Sequence, residues 1–348
     1  MTGPAQRRWP RWVGHSASDP LGSILSGFPL VKKIRMEFQE AKIPTMYFIG
    51  VSTGASSSVR VFPNWAQLLG LGECRLVGLD FPLHDDPQCY RQVVDFIKSD
   101  PLSLGALVTS HKMDLLAACS DLFDKMDPLA EEMAEVSSIY KRGGKLIGRA
   151  TDPVCGGMAL ENFLAPAHFH ETGADVLILG AGGSALALVW YLLKGRDDVP
   201  ARIHVVNRSR PRLDHLLGLA AKWGGAERVA GYLSSDQPDI ADVLTGQLVP
   251  GSLLVNATGM GKDSPGSPLT DEVNFPERGI VWDFNYRGQL LFLDQARAQK
   301  QDKSLRIEDG WDYFVIGWSQ VIADVFEIEI PPRGDLYDSL SRQALELR

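Results

Sequence analysis

Three glycines, Gly180, Gly182 and Gly183, sit in the string LILGAGGSALALVWYLL, between a short β-rich run and a run of Ala, Leu, Val and Trp. Backbone N–H groups at such a strand-to-helix turn can face a phosphate with no side chain in the way, and the helix dipole favours the negative charge. The turn is completed by Ala181 and Ser184, and Ala185 stands where close packing of helix on strand wants a small residue. This spacing predicts a dinucleotide loop. The next strand candidate ends in HVVNRSRPR, with no carboxylate to accept hydrogen bonds from an adenosine ribose. Asn207, Arg208 and Ser209, with Arg212 a little further on, offer polar and cationic contacts to a 2′-phosphate instead. The cofactor these residues predict is NADP rather than NAD, with Arg208 setting the choice.

A loop of this kind needs a sheet behind it. Residues 176–193 contain no charge and approach bilayer-crossing length, yet the glycine cluster divides them into strand, turn and helix. Five strand candidates, ADVLILGAGG, ARIHVVNRS, ERVAGYL, GSLLVNATG and GIVWDFNY, run up to Tyr286; beyond it only helices are expected. Upstream, TMYFIGV, RLVGLDF and GALVTS alternate with the helix-like FPNWAQLLGL and DPQCYRQVVDFIKSD, a rhythm that predicts a largely parallel sheet. MDLLAACSDLFDKM and PLAEEMAEVSSI read as helices, KRGGKLIG as a hairpin turn running into Ala150, Thr151 and Asp152, and APAHFHETG as the linker between two domains.

The chain has 348 residues, too many for one compact core, and a formal net charge of −8 gives nucleic-acid binding little electrostatic support. Cys74, Cys89, Cys119 and Cys155 lie far apart with no CxxC pair, a pattern that suits a reducing compartment. No apolar core of signal-peptide type follows the early arginines, so a cytoplasmic protein is expected, with a small-molecule partner and neither nucleic acid nor membrane. Residues 1–45 mix Trp9 and Trp12 with several arginines and read as a loosely packed extension ending in a short helix over 34–41. The loop acids Asp80, Asp85 and Asp86 and the pair His168 and His170 are assigned no metal.

Over about residues 46–330 the chain resembles the shikimate dehydrogenase family, on signatures that occur in the family's order. GVSTGASSSVRV is similar to its N-terminal serine motif, VTSHK to Asn-Val-Thr-x-Pro-x-Lys, and GRATD to Gly-x-Asn-Thr-Asp. LGAGGSA with VVNRS, and VNATGMG with DFNY, look like its cofactor-side segments. The resemblance implies reversible hydride transfer between NADP(H) and a ring alcohol of a hydroxylated carbocyclic acid, as in aromatic amino acid biosynthesis, by a monomer or homodimer. It also implies an α/β fold with a split substrate-binding domain over 46–165, a Rossmann-type domain over 172–287, and helices over 288–348 that return to the first domain. Carried over residue by residue, Lys112 is the catalytic lysine and Asp152 its partner. Ser56 and Ser58 hold the substrate carboxylate, Thr109, Ser137, Tyr286 and Gln320 lie near the ring, and Ala257 and Thr258 border the cofactor.

The residue types suit that chemistry. A ketone that accepts a hydride needs a proton for its developing alkoxide, and a lysine beside a carboxylate can supply it. Burial lowers a lysine's pKa while a carboxylate raises it, so the net direction is open at the level of sequence. Departures from the family pattern bear on the substrate. The lysine motif is one residue short, with Leu107 in place of Asn and His111 beside Lys112; Ser137 and Ala150 also replace Asn, and an ungapped alignment puts Gly317 rather than Gln320 at the late glutamine. Lost polar partners predict a relative of shikimate with fewer or differently placed hydroxyls. Two alternatives stay open: another dehydrogenase of the same fold, similar to the methylenetetrahydrofolate dehydrogenases, and a non-catalytic dinucleotide-binding regulator.

Overall fold

The computed structural model describes residues 38–262 and 264–347. The Arg/Trp-rich part of the extension lies outside the described residues, and the helix expected to reach Ala41 does not, since residues 38–44 carry none.

Strand β1 (Thr45–Gly50) is buried along its whole length between two parallel neighbours, β2 (Arg75–Asp80) and β3 (Ser103–Val108). A strand covered on both faces must be apolar throughout, which TMYFIG nearly is. Helices α1 (Ser57–Leu68) and α2 (Pro87–Ser99) make the crossovers, and α3 (Lys112–Cys119) follows β3. The short β4 (Lys125–Met126) and α4 (Pro128–Met133) lead to a hairpin of β5 (Ser138–Arg142) and β6 (Lys145–Arg149). Gly143 and Gly144 turn it with φ of 57° and 74°, the double positive φ that a two-residue hairpin loop requires. The sheet order is β2-β1-β3-β5-β6-β4, with β5 antiparallel to both its neighbours.

Two segments that read as continuous helix run on into strand. PLAEEMAEVSSI is helical only to Met133, because Ala134 turns left-handed (φ 52°) and Ser138 and Ile139 are drawn into β5. MDLLAACSDLFDKM ends as α-helix at Cys119, and Lys125 and Met126 instead pair with Ile147 and Gly148. Cross-strand pairing overrides helix propensity in both.

Helix α5 (Asp152–Glu161) leads out of the first sheet, and the supposed linker itself contains α6 (His168–Thr172). The second sheet is built from β7 (Val176–Leu179), β8 (Ile203–Asn207), β9 (Val229–Leu233), β10 (Leu253–Asn256), β11 (Ile280–Asp283) and β12 (Arg306–Glu308). All pairings in it are parallel in the order β12-β11-β10-β7-β8-β9, the doubly wound arrangement that reverses direction between β7 and β10. Strand β12 was not expected: Arg306-Ile307-Glu308 has a single apolar residue at a sheet edge and so shows no pattern. Helices α7 (Gly183–Trp190), α8 (Arg210–Lys222) and α9 (Ile240–Gln247) flank this sheet, followed by α10 (Leu291–Ala298) and α11 (Lys300–Lys303).

Helices α12 (Trp311–Phe326) and α13 (Asp335–Glu346) return to the first sheet. Trp318 packs edge-on against Phe48 of β1 at 5.0 Å, Asp324 accepts hydrogen bonds from Ser138 and Arg149, and the Trp65 indole of α1 donates to Leu340 O. No helix among the described residues is long and apolar enough to cross a membrane.

Candidate active site

Gly180 lies where the strand order of the second sheet reverses. Its φ is 111°, and a Cβ there would stand 2.8 Å from Ala257 O, so both conformation and space demand glycine. Helix α7 begins at Gly183 with no side-chain cap, and a Cβ on Gly182 would meet nothing within 4 Å. The turn therefore opens into a cleft of about 670 Å³, which Ala181, Gly182, Gly183 and Ser184 line on one side and Thr109, Lys112, Met133 and Glu135 on the other. Uncapped helix amides over open space fit a pyrophosphate.

The basic turn is rearranged relative to expectation. Helix α8 begins at Arg210 with Pro211 in its first turn and has Arg212 and His215 on the cleft wall, whereas Arg208 precedes the helix, is exposed and does not line the cleft. The Asn207 amide donates to Ser209 O at 3.0 Å and so shapes the turn. No carboxylate ends β8, and the nearby Asp236 is paired with Arg210 at 3.2 Å. These residues fit a 2′-phosphate, and of the two arginines Arg212 is the one that lines the cleft.

A second cavity, of about 360 Å³, adjoins the first; Thr109, Lys112 and Ser184 line both. Lys112 is the first residue of α3 and Asp152 the first of α5, and the Lys112 Nζ forms an ion pair with Asp152 Oδ2. Burial is the largest single influence on the lysine and opposes its charge, but Asp152 and then Glu135 outweigh it, so its pKa is raised overall. It stays an ammonium at neutral pH. Ala257 and Thr258 after β10 and Tyr286 after β11 form the opposite wall. The ends of these strands are tied together through Asp283, which accepts from the Asn256 amide and the Asn285 N–H.

Other expected residues are placed differently. Ser137 lines the cavity, but its hydroxyl is engaged by the Thr151 hydroxyl at 2.9 Å and accepts from the Thr151 N–H at 2.7 Å. Gln320 is turned away, with its amide donating to Ile330 O at 2.8 Å; one helical turn earlier, Gly317 lines the cavity in its place. Ser56, in extended conformation, immediately precedes α1, and Ser58 lies in the first turn of that helix. Ser56 caps α1, its hydroxyl donates to Ser58 Oγ at 2.9 Å, and neither serine lines the cavity. Their segment abuts its edge, since a Cβ on Gly50 would touch both Thr109 Oγ1 and Thr53 Cγ2. His111 is fully buried behind the site, its Nδ1 3.0 Å from the Tyr90 hydroxyl.

Two site residues were not anticipated. Tyr313 of α12 lines the cavity and hydrogen-bonds Ser184, and burial pushes its hydroxyl well above the usual range. Glu135 is only 4% exposed, and burial pushes its carboxyl up to about 7, against the pull of Lys112. It hid inside a run that reads as continuous helix, and its only sequence signal was an acid just before the Val136-Ser137 stretch.

No family model matches the chain. The shikimate dehydrogenase (NADP(+)) of Lactococcus lactis is 32% identical over 178 residues, 51% of this chain and 59% of that protein. The enzyme of the same name from Symbiobacterium thermophilum is 32% identical over 202 residues, 56% of this chain and 62% of that one. The chain thus spans about three fifths of the length of these curated relatives. The shikimate 5-dehydrogenase of Thermus thermophilus, solved in complex with NADP(H) and shikimate, matches 88% of this chain with TM-score 0.65 at 23% identity, over 100% of its own length. The chain is similar in sequence to shikimate dehydrogenases over about half of its length and shares their fold over most of it. A quinate dehydrogenase from Corynebacterium glutamicum, in complex with NAD, shares the fold equally well, covering 87% of this chain and 99% of its own with TM-score 0.67 at 18% identity. In this shikimate dehydrogenase fold the two sheets bring a glycine turn and a lysine–aspartate pair to one seam.

Proposed function

We propose that the chain is an NADP-dependent dehydrogenase that moves a hydride between the nicotinamide and a ring alcohol or ketone of a hydroxylated carbocyclic acid with fewer ring hydroxyls than shikimate. The observation that carries this is the position of Lys112, paired with Asp152, on the wall shared by the glycine-turn cleft and the second cavity. A proton donor belongs at that seam, where hydride and alkoxide meet.

The nicotinamide supplies or accepts the hydride when bound. In the reducing direction the Lys112 ammonium gives a proton to the carbonyl oxygen; in the oxidising direction the same nitrogen first releases its proton to solvent and, as the neutral amine, takes the hydroxyl proton. Asp152 orients the ammonium and balances its charge. The Gly180–Ser184 turn would hold the pyrophosphate, Arg212 the 2′-phosphate, and Thr109 and Tyr286 the ring. Ser56 and Ser58, at the edge behind Thr53, are proposed to reach the substrate carboxylate.

Leu107, Gly317, Trp318 and Val321 give one side of the cavity no polar side chain but an indole N–H, and the Ser137 hydroxyl is already engaged. A hydroxyl buried there loses partners worth about 1–3 kcal/mol each, or roughly tenfold to a hundredfold in selectivity. All four cysteines are free, which supports a cytoplasmic setting. The test is to follow reduced-nicotinamide absorbance with NADP and shikimate, quinate or deoxy analogues. A deoxy analogue is expected to turn over well and shikimate poorly. A kcat/KM for shikimate of about 10⁴ M⁻¹s⁻¹ or more would refute the substrate reading, and no turnover of any of these acids would refute the activity.

A further inference from the structure

We propose that Glu135 is a cofactor-contact residue that meets the dinucleotide in its protonated form, so that binding the anionic cofactor takes up one proton. This rests on reading the cleft as a dinucleotide site.

The backbone places Glu135 there. Ala134, at φ 52°, ends α4 and turns the chain toward the cleft, and the Val136 N–H donates to Lys112 O at 3.2 Å, fixing the segment beside α3. One carboxyl oxygen faces the glycine turn: a Cβ on Gly183 would stand 3.2 Å from Glu135 Oε2. The other, Oε1, is buried with no hydrogen-bond partner among the described residues. A buried polar atom on the wall of an open cleft awaits a partner that the cleft admits.

The charge balance decides which form meets the ligand. Lys112 of α3 is engaged by Asp152 of α5, so one cation serves two carboxylates. Tyr313 of α12 and Cys155 of α5 add no positive charge. His84, Asp114, Arg212 and His215 also line or rim the cleft, but His84 and Asp114 are paired with each other at 3.0 Å. An ionised Glu135 against the first amides of α7 competes with a pyrophosphate for the same helix terminus, and in a gap of low dielectric two such anions repel strongly. Protonation removes the repulsion and turns the carboxyl into a donor toward a phosphate or ribose oxygen. Burial holds the carboxyl near 7, which puts the uptake in the neutral range.

The experiment is calorimetric titration of NADP into the full chain at pH 6, 7 and 8, in two buffers of different ionisation enthalpy. The expected result is net uptake approaching one proton and a Kd that rises toward tenfold per pH unit above neutrality. Glu135→Gln should bind NADP at pH 8 about as tightly as the unaltered chain does at pH 6, with the uptake largely gone. His215→Gln should keep it. Binding without uptake, or uptake kept in Glu135→Gln and lost in His215→Gln, overturns the role of Glu135 alone. Absence of NADP binding at every pH overturns the cofactor reading together with it.

Discussion

Lys112 lines both cavities and is paired with Asp152, and in the proposed reaction the two serve one proton transfer. Lys112→Ala and Asp152→Asn should each lower kcat by about 10²- to 10⁴-fold with little change in NADP affinity. The double variant should be scarcely worse than the poorer single one, and strictly multiplicative losses in kcat would show that the two act apart. Glu135 also has a cost in stability. Its carboxyl titrates near 4.5 in an unfolded chain and near 7 here, so the folded form binds more protons between those values and stability falls as pH rises through that window. Glu135→Gln should therefore raise the unfolding free energy at pH 8 by on the order of 3 kcal/mol at most and leave it unchanged at pH 4. Urea unfolding at both pH values checks this, and an equal gain at both would exclude charge as the cause. The lysine and aspartate were legible because their motifs occur in order with the glycine turn. Glu135 was not, because its inward direction is set by a left-handed Ala134 that no residue type announces. That Arg212 rather than Arg208 lines the cleft was hidden for a similar reason, since the side of α8 that meets the cleft depends on where the helix starts.

At the scale of elements, α5 connects the two sheets and begins with Asp152, so its seating matters to the chemistry. It packs closely on the turn after α7: a Cβ on Gly157 would stand 2.0 Å from the ring of Tyr191, whose hydroxyl donates to Glu161 Oε1 at 3.2 Å. Gly157→Ala should destabilise the fold by about 1–3 kcal/mol, the usual cost of overpacking, and lower kcat by moving Asp152. Gly246→Ala is the control. It lies in α9 with nothing within 4 Å of the added carbon, and should be neutral or stabilising by about 0.5–1 kcal/mol. Thermal unfolding of the two variants separates a steric effect from the loss of glycine as such. Strands with a strong apolar run, such as β1 and β7, were readable because burial on both faces leaves no other composition. The short β4 and β12 were not, because they exist through pairing to β6 and β11 rather than through their own residues.

For the whole molecule, the doubly wound order followed from five strands and a glycine turn, while the contact between the sheets is a property of packing. Helices α5 and α12 bind them together: Gly156 packs toward Tyr313, Tyr313 bonds Ser184 of α7, and the Asn162 amide donates to Asp312 at 3.2 Å. The cofactor cleft takes residues from both sheets' loops, so its ligand should stabilise both lobes rather than the Rossmann lobe alone. Saturating NADP at a hundred times its Kd adds about 2.7 kcal/mol to the folded state, which for a chain of this size is a rise in Tm of several degrees. We therefore expect one calorimetric transition that NADP moves upward as a unit, more at pH 6 than at pH 8. NAD, which cannot engage Arg212 through a 2′-phosphate, should move it less, and Arg212→Ala should abolish the difference between the two cofactors. A transition that splits on NADP addition, with one half unmoved, would mean that the cofactor touches a single lobe and that Lys112 does not meet it.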